Sequence, residues 1–260
     1  MSGEIRVEVD DRVATLLFDH KARRNAITVH MWESIPDAVA RVQADPAVRV
    51  VIMRGAGVDA FVSGADISEF EKVRTGNAGR DYDKMTSRAF NALRDLDKPL
   101  IASIHGYCVG GGAALALTAD IRHAADDAVF AVPPARLGLG YHMEGIEALH
   151  RTVGFSNTSD LLFTGRQVSA DQALRMGLVN AVHDKAELDK ATTKLATRIA
   201  RNAPLTIRAA KITQQELAKL ETARDAERIA AAIEQCYQSD DFEEGVRAFL
   251  EKRKPQFEGK

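Results

Sequence analysis

Residues Ile5-Arg6-Val7-Glu8-Val9 alternate between apolar and polar, and Val13-Ala14-Thr15-Leu16-Leu17-Phe18 follows after Asp10-Asp11. Alternation before an acidic pair that can turn the chain, and an apolar return after it, predict an antiparallel hairpin. A basic, polar loop, 20–25, leads to a stretch where Met31, Ile35, Val39 and Val42 recur every three or four residues. That is the spacing of one helix face. Pro36 interrupts it, so the helix either starts late, with Ser34 as N-cap, or is kinked. Residues 48–53 and 100–104 are nearly continuous apolar runs and, with the more polar 120–124, predict parallel strands. Between them, residues 74–83 are polar with two glycines, which predicts a mobile surface loop.

Beyond about residue 185 the strand pattern stops. Residues 186–201, 205–220 and 223–238 read as helices, with a short last one at 242–252. Strands alternating with helices and then helices alone predict an α/β class with right-handed crossovers, followed by a helical region. The expected division is a core at 1–195 and a helical region at 196–260.

Composition narrows the function classes. Of 260 residues 45% are hydrophobic and 28% charged, which excludes a disordered or collagen-like chain. Lys+Arg at 35 nearly balance Asp+Glu at 37, for a formal net charge of −2, which is no footprint of a nucleic-acid binder. No apolar run reaches bilayer length and the first residues lack an apolar signal core, so the expectation is a cytoplasmic protein that does not enter a membrane. Cys108 and Cys236 are too few for a disulfide framework and stand in no metal-ligand spacing.

The densest chemical signal is the stretch from Ile104 to Leu117, where a strand ends, Gly110-Gly111-Gly112 turns the chain, and an Ala/Leu-rich helix begins. Glycines let a ligand approach the backbone, and a helix start offers unpartnered N–H groups, so this turn can hold an oxyanion or phosphate. The same glycines would also serve tight strand–helix packing alone. The spacing fits neither the dinucleotide fingerprint nor a P-loop. A second turn of the same kind runs through Ser63-Gly64-Ala65-Asp66-Ile67. Two such turns could aim two N–H groups at one oxygen, as stabilising a thioester enolate or tetrahedral oxyanion requires.

At these residues the chain resembles the crotonase (enoyl-CoA hydratase/isomerase) superfamily. The resemblance covers nearly the whole length, through Arg24-Asn25-Ala26, Ala60 to Asp66, Lys98 to Ala102, Gly106 to Gly112, Ala119 to Arg122, Leu137-Gly138-Leu139, Thr164-Gly165-Arg166, Ala173 to Val179 and Ala248 to Pro255. It implies a spiral of β-β-α turns with a helical C-terminal trimerisation region, a homotrimer or homohexamer, and an acyl-CoA thioester as ligand. Coenzyme A then enters as part of the substrate, with no tightly bound cofactor and no metal. The resemblance assigns oxyanion-hole N–H groups to Ala65 and Gly111. It assigns coenzyme A contacts to Arg24, Ala26, Ala65, Asp66, Ile67, Phe249 and Lys252, the last two reaching the site of a neighbouring subunit.

The chain also departs from this pattern. Where family hydratases carry two glutamates it has Ala114 and Pro134, and neither can move a proton. The following loop, from Leu139 to Glu147, instead holds Tyr141, His142, Glu144 and Glu147. Tyr141, His142 and Glu144 are the candidate acid–base groups. Loop or N-cap packing is the alternative for His142, rim packing for Tyr141, and a first-turn helix role for Glu144 and Glu147. Tyr141 and the C-terminal tail also resemble methylmalonyl-CoA decarboxylase, although that enzyme carries a histidine where this chain has Ala65. His105 and His123 read as structural, and Cys108 as an apolar filler. The expected function is an acyl-CoA enzyme of the hydratase/isomerase type. The alternatives are decarboxylation of a malonyl-type thioester and acyl-CoA binding without chemistry.

Overall fold

The opening hairpin pairs β1 (Glu4–Asp10) with β2 (Val13–Asp19), Val7 facing Leu16 and Asp10 facing Val13. The computed structural model describes residues 3–74 and 76–260; Met1, Ser2 and Thr75 lie outside the described residues. Helix α1 (Val29–Ala44) follows, and then β3 (Val50–Gly55) and β4 (Ala60–Val62). Two helices, α2 (Phe70–Val73) and α3 (Gly76–Arg94), lead to β5 (Leu100–Ile104), β6 (Tyr107–Val109) and α4 (Gly111–Ala116). Next come β7 (Ile121–Ala125), β8 (Val129–Ala131) and a long helix, α5 (Met143–Thr164), broken where Gly154 takes φ 77°, ψ 171°. β9 (Val168–Ser169), α6 (Ala170–Arg175) and β10 (Ala181–His183) precede α7 (Leu188–Ala200), α8 (Pro204–Leu217), α9 (Ala226–Tyr237) and α10 (Asp240–Leu250).

Three times in succession the chain lays one strand in a large sheet and the next in a small one. The large sheet has the order β1-β2-β3-β5-β7-β10, parallel except for the hairpin. The small sheet is β4-β6-β8-β9, with β4, β6 and β8 parallel. The apolar runs at 48–53 and 100–104 are thus buried strands, as expected. Simple β-α-β crossovers are not what joins them: each connection carries a small-sheet strand as well. The main core fills the space between the sheets and α1, α3 and α5, with Trp32, Phe61, Leu93 and Phe130 at its centre.

Two expectations need correction. Helix α1 does not begin at Ser34. It begins at Val29, with the Thr28 hydroxyl accepting from the Met31 N–H at 3.3 Å. Pro36 sits inside it and costs about 3 kcal/mol. Burial of Trp32 and Ile35 before it and of Val39 and Val42 after it, at roughly 1.5–3 kcal/mol per side chain, outweighs that. The second correction concerns residues 74–83: Thr75 lies outside the described residues, Arg74 directly follows α2, and 76–83 form the first part of α3 instead of a loop. Tyr82, Thr86, Ala89 and Leu93 recur along one buried face, and that face holds its polar first turns in helical form.

Helix α7 runs across residue 195, packing Ala196 and Ala200 on the outer face of the large sheet against Val50, Ile52 and Ile101. The division proposed at 195/196 therefore falls within a helix that belongs to the sheet's second layer. No helix among the described residues is long and apolar enough to cross a membrane.

Candidate active site

The two small-residue turns come together because the strands before them pair. β4 and β6 are adjacent and parallel, with Val62 beside Cys108, so the turn after each strand emerges at the same end. In the first turn, the Ile27 N–H donates to Gly64 O at 2.8 Å and the Asp66 N–H donates to Ile27 O at 2.9 Å. This parallel bridge uses the groups on either side of Ala65 and turns the Ala65 N–H the other way. No backbone acceptor meets it among the described residues.

In the second turn, Gly110 takes φ 53°, ψ −111°, a conformation that only glycine adopts without strain, while its N–H donates to Ala131 O at 2.8 Å. Gly111 then opens α4, and its N–H is among those that a helix start leaves without an intrahelical acceptor. A Cβ at Gly111 would lie 3.6 Å from Ala65 N and 3.3 Å from Trp32 Cζ2, so the two turns face each other beside the indole. At Gly112 a Cβ would meet Val62 O at 2.0 Å: here the glycine serves close packing of α4 on β4. The packing role anticipated for the glycines is thus met at Gly112, while its neighbour Gly111 faces the other turn.

These turns form one end of a cleft that holds about 1010 Å³ counted out to its open mouth. Ala114, Pro134, Tyr141, His142 and Glu144 line it. Glu147 points elsewhere and pairs with Arg151 at 2.6 Å. His142 is the N-cap residue of α5, yet its side chain makes no capping bond. Its Nε2 lies 3.0 Å from Asp83 Oδ1, out of line for a hydrogen bond, and neither atom makes a hydrogen bond elsewhere. Burial pushes the Tyr141 hydroxyl well above the usual phenol range. Its ring lies over Gly145, where any Cβ would come within 2.6 Å of Cε1.

Five lining residues were missed in the sequence: Trp32, Phe70, Arg74, Tyr82 and Phe90. Trp32 and Phe90 meet edge to face at 5.2 Å, and the Arg74 guanidinium lies 4.3 Å over the Tyr82 ring and 5.2 Å from Phe70. For Tyr82 and Phe90 the signal that could have found them is the apolar face of α3, hidden behind its polar first turns; Trp32, Phe70 and Arg74 lie on α1, on α2 and just after it.

Of the coenzyme A contacts implied by resemblance, Ala65 and Ile67 border the cleft. Arg24, at φ 51°, holds its guanidinium 4.7 Å over the Tyr107 ring. Asp66 receives Arg23 Nη1 at 2.7 and 3.0 Å and caps the following turn through the Ser68 N–H. Burial alone would raise its carboxyl, but the Ser68 hydrogen bonds and Arg23 hold it below the usual carboxylate range. Ala26 O accepts from or faces His20 Nδ1 at 2.9 Å, which ties that loop down. Phe249 and Lys252 do not join the cleft within one chain; Phe249 lines a groove between the C-terminal helices.

Outside the cleft, buried His105 places Nε2 3.0 Å from Asp189, and His123 Nδ1 lies 3.1 Å from His183 Nε2. Cys108 is fully buried and burial pushes its thiol up.

The family model described as enoyl-CoA hydratase/isomerase matches residues 8–260. The chain is 33% identical to the short-chain-enoyl-CoA hydratase of Clostridium acetobutylicum, over 97% of this chain and 96% of that one. It is 31% identical to the methylmalonyl-CoA decarboxylase of Escherichia coli, over 98% of both. The solved structure of an enoyl-CoA hydratase from Bacillus anthracis superposes with a TM-score of 0.89 at 28% identity, over 99% of this chain and 100% of that one.

Proposed function

Because this chain belongs to the enoyl-CoA hydratase/isomerase (crotonase) family, we propose that its cleft binds an acyl-CoA thioester and stabilises the thioester enolate between the N–H groups of Ala65 and Gly111. The facing of those two turns is the observation that carries this reading. Two preorganised donors aimed at a developing oxyanion, inside an apolar cleft, are worth several kcal/mol in the transition state.

Ala114 and Pro134 occupy lining positions where a hydratase would need acids, so water addition is not the favoured outcome. Proton transfer at carbon falls to His142, with Asp83 orienting the imidazole. Asp–His contacts of this kind tighten when a ligand closes the site. The favoured reaction is therefore of the isomerase type: removal and return of a proton next to the thioester carbonyl. Arg24, Ala26, Asp66 and Ile67 are proposed at the coenzyme A end. Phe249 and Lys252 are proposed to reach a neighbour's site in a homotrimer or homohexamer. The exposed Tyr237, Phe242, Phe249 and Leu250 of α9 and α10 support that assembly.

Deuterium exchange at the α carbon of butyryl-CoA, followed by mass spectrometry in heavy water, tests the enolate directly. Exchange that is fast in the wild type and lost in His142→Ala supports the reading; no exchange above the buffer rate rejects it. A second reading, decarboxylation of a malonyl-type thioester, is favoured by the same Ala114 and Pro134, since loss of carbon dioxide reaches the enolate without a base. Formation of propionyl-CoA from methylmalonyl-CoA tests it, and no product at saturating substrate would exclude it.

A further inference from the structure

Among the described residues, five buried side-chain N or O atoms have no hydrogen-bond partner; Trp32 Nε1, Arg74 Nε and His142 Nε2 belong to residues that line this cleft, and a fourth, Asp83 Oδ1, lies beside His142. Buried polar groups in folded proteins are nearly always partnered, so four together mark a place that a polar ligand completes. Asp83 and His142 already face each other. The remaining two, Trp32 Nε1 and Arg74 Nε, are both donors; the Tyr82 hydroxyl is the protein acceptor close to both residues, and neither atom makes an aligned bond to it.

Trp32 is 2% exposed and lines the cleft beside Gly111. Arg74 has a side chain only 17% exposed, held between the Phe70 and Tyr82 rings. Among the described residues its ion pair is with Asp83, a loose one, with Oδ1 3.9 Å from Nη1 and beyond hydrogen-bond reach. An arginine's charge is permanent, and buried charges are characteristically paired. A ligand that offers both a negative charge and two acceptor oxygens fits both donors. A cationic or purely aliphatic chain end fits neither.

We propose that Arg74 and Trp32 receive a second carboxylate at the end of the acyl chain, so that this cleft takes ω-carboxyacyl thioesters of coenzyme A; the inference rests on the acyl-CoA reading above. The carboxylate is one the reaction keeps. A cation gripping a carboxylate about to leave as carbon dioxide would stabilise the ground state more than the transition state. Gripping a retained carboxylate anchors the chain end while the carbonyl end reacts.

Calorimetric titration of the full chain with succinyl-, glutaryl- and adipyl-CoA, each against the neutral thioester of matching length, and with free coenzyme A, provides the test. At least one carboxylated ligand is expected to bind about tenfold or more tightly than its neutral counterpart, the scale of a charge-assisted bidentate contact. Arg74→Met should abolish that preference and leave butyryl-CoA affinity within about twofold of wild type, which also shows that the variant is folded; Arg74→Lys should keep part of it. Neutral thioesters that bind as tightly as all three carboxylated ones overturn the inference and leave the acyl-CoA reading intact. A loss in Arg74→Met that is equal for free coenzyme A and for every thioester also overturns it, by assigning Arg74 to the nucleotide end. Absence of binding by every thioester rejects the acyl-CoA reading, and this inference with it.

Discussion

Asp83 Oδ1 stands 3.0 Å from His142 Nε2, linking the middle of α3 to the first residue before α5. The two residues are 59 positions apart, and the contact joins two walls of one cleft.

If His142 moves the proton, His142→Ala lowers α-proton exchange by about 10²–10⁴-fold, the usual worth of a positioned acid–base group. Asp83→Asn should lower it by about tenfold with thioester affinity retained, because asparagine keeps the shape and removes the charge that orients the imidazole. Exchange rates from deuterium incorporation check both variants. A wild-type rate in His142→Ala would remove this residue from the mechanism.

Hydration of crotonyl-CoA, followed by loss of the enoyl absorbance, should run about 100-fold or more slower than α-proton exchange in the same preparation. Ala114 and Pro134 line the cleft without a group that could activate water. Comparable rates for the two reactions would mean that another residue supplies the missing acid.

Gly111 and Gly112 should respond in opposite ways to alanine. A Cβ at Gly112 would sit 2.0 Å from a backbone oxygen, so Gly112→Ala forces α4 off β4 and destabilises the fold by about 3 kcal/mol. The expected drop in Tm is roughly 6–12 °C for a chain of this size. At Gly111 the contacts are 3.3 and 3.6 Å, so Gly111→Ala should fold with a Tm within a few degrees of wild type and lose exchange activity. Calorimetry on the two variants separates packing from chemistry, and equal losses of Tm would defeat the distinction.

Acid should loosen the C-terminal helices through Glu216. Its covered carboxylate accepts from the Asp225 N–H at 2.9 Å and from Lys219 and Arg228 at 2.8 Å, clamping α8 to the start of α9. The Asp225 hydrogen bond, then Lys219 and Arg228, hold it at about 2, below the 4.5 of a free glutamate. A carboxyl lowered on folding contributes stability above about pH 4.5, and that contribution is lost as pH falls towards 2. Glu216→Gln should therefore unfold at lower temperature than wild type at pH 7, with the gap closing as pH falls from 4.5 to 2. A gap that does not change with pH would mean that the clamp works through shape and not charge.

The strands and the glycine turns were legible because their signals are local: an apolar run, an alternation, three glycines in a row. Ala65 and Gly111 within those turns were singled out by resemblance to the family and not by any local signal of their own. The walls of the cleft were only partly legible. His142 could be named from its loop, but Trp32, Phe70 and Tyr82 come from three separate helices, and nothing in the sequence around Arg74 sets it apart from a solvated cation. Residues 74–83 read as a loop because the features that make them helical, burial of Tyr82 and Thr86 against α1, exist only after folding. Pro36 misled in the opposite direction, suggesting a boundary where packing on both sides carries the helix through.

The repeating turn of the chain, one strand to each sheet, has a consequence for how this protein can change. The two donors facing each other owe their positions to strand pairing and a backbone bridge, not to any side chain that mutation could exchange. The side chains that line the cleft stand on separate loops and helices around that frame. Positions such as 65, 114, 134 and 142 can thus change while the frame persists, and relatives built on it include both a hydratase and a decarboxylase.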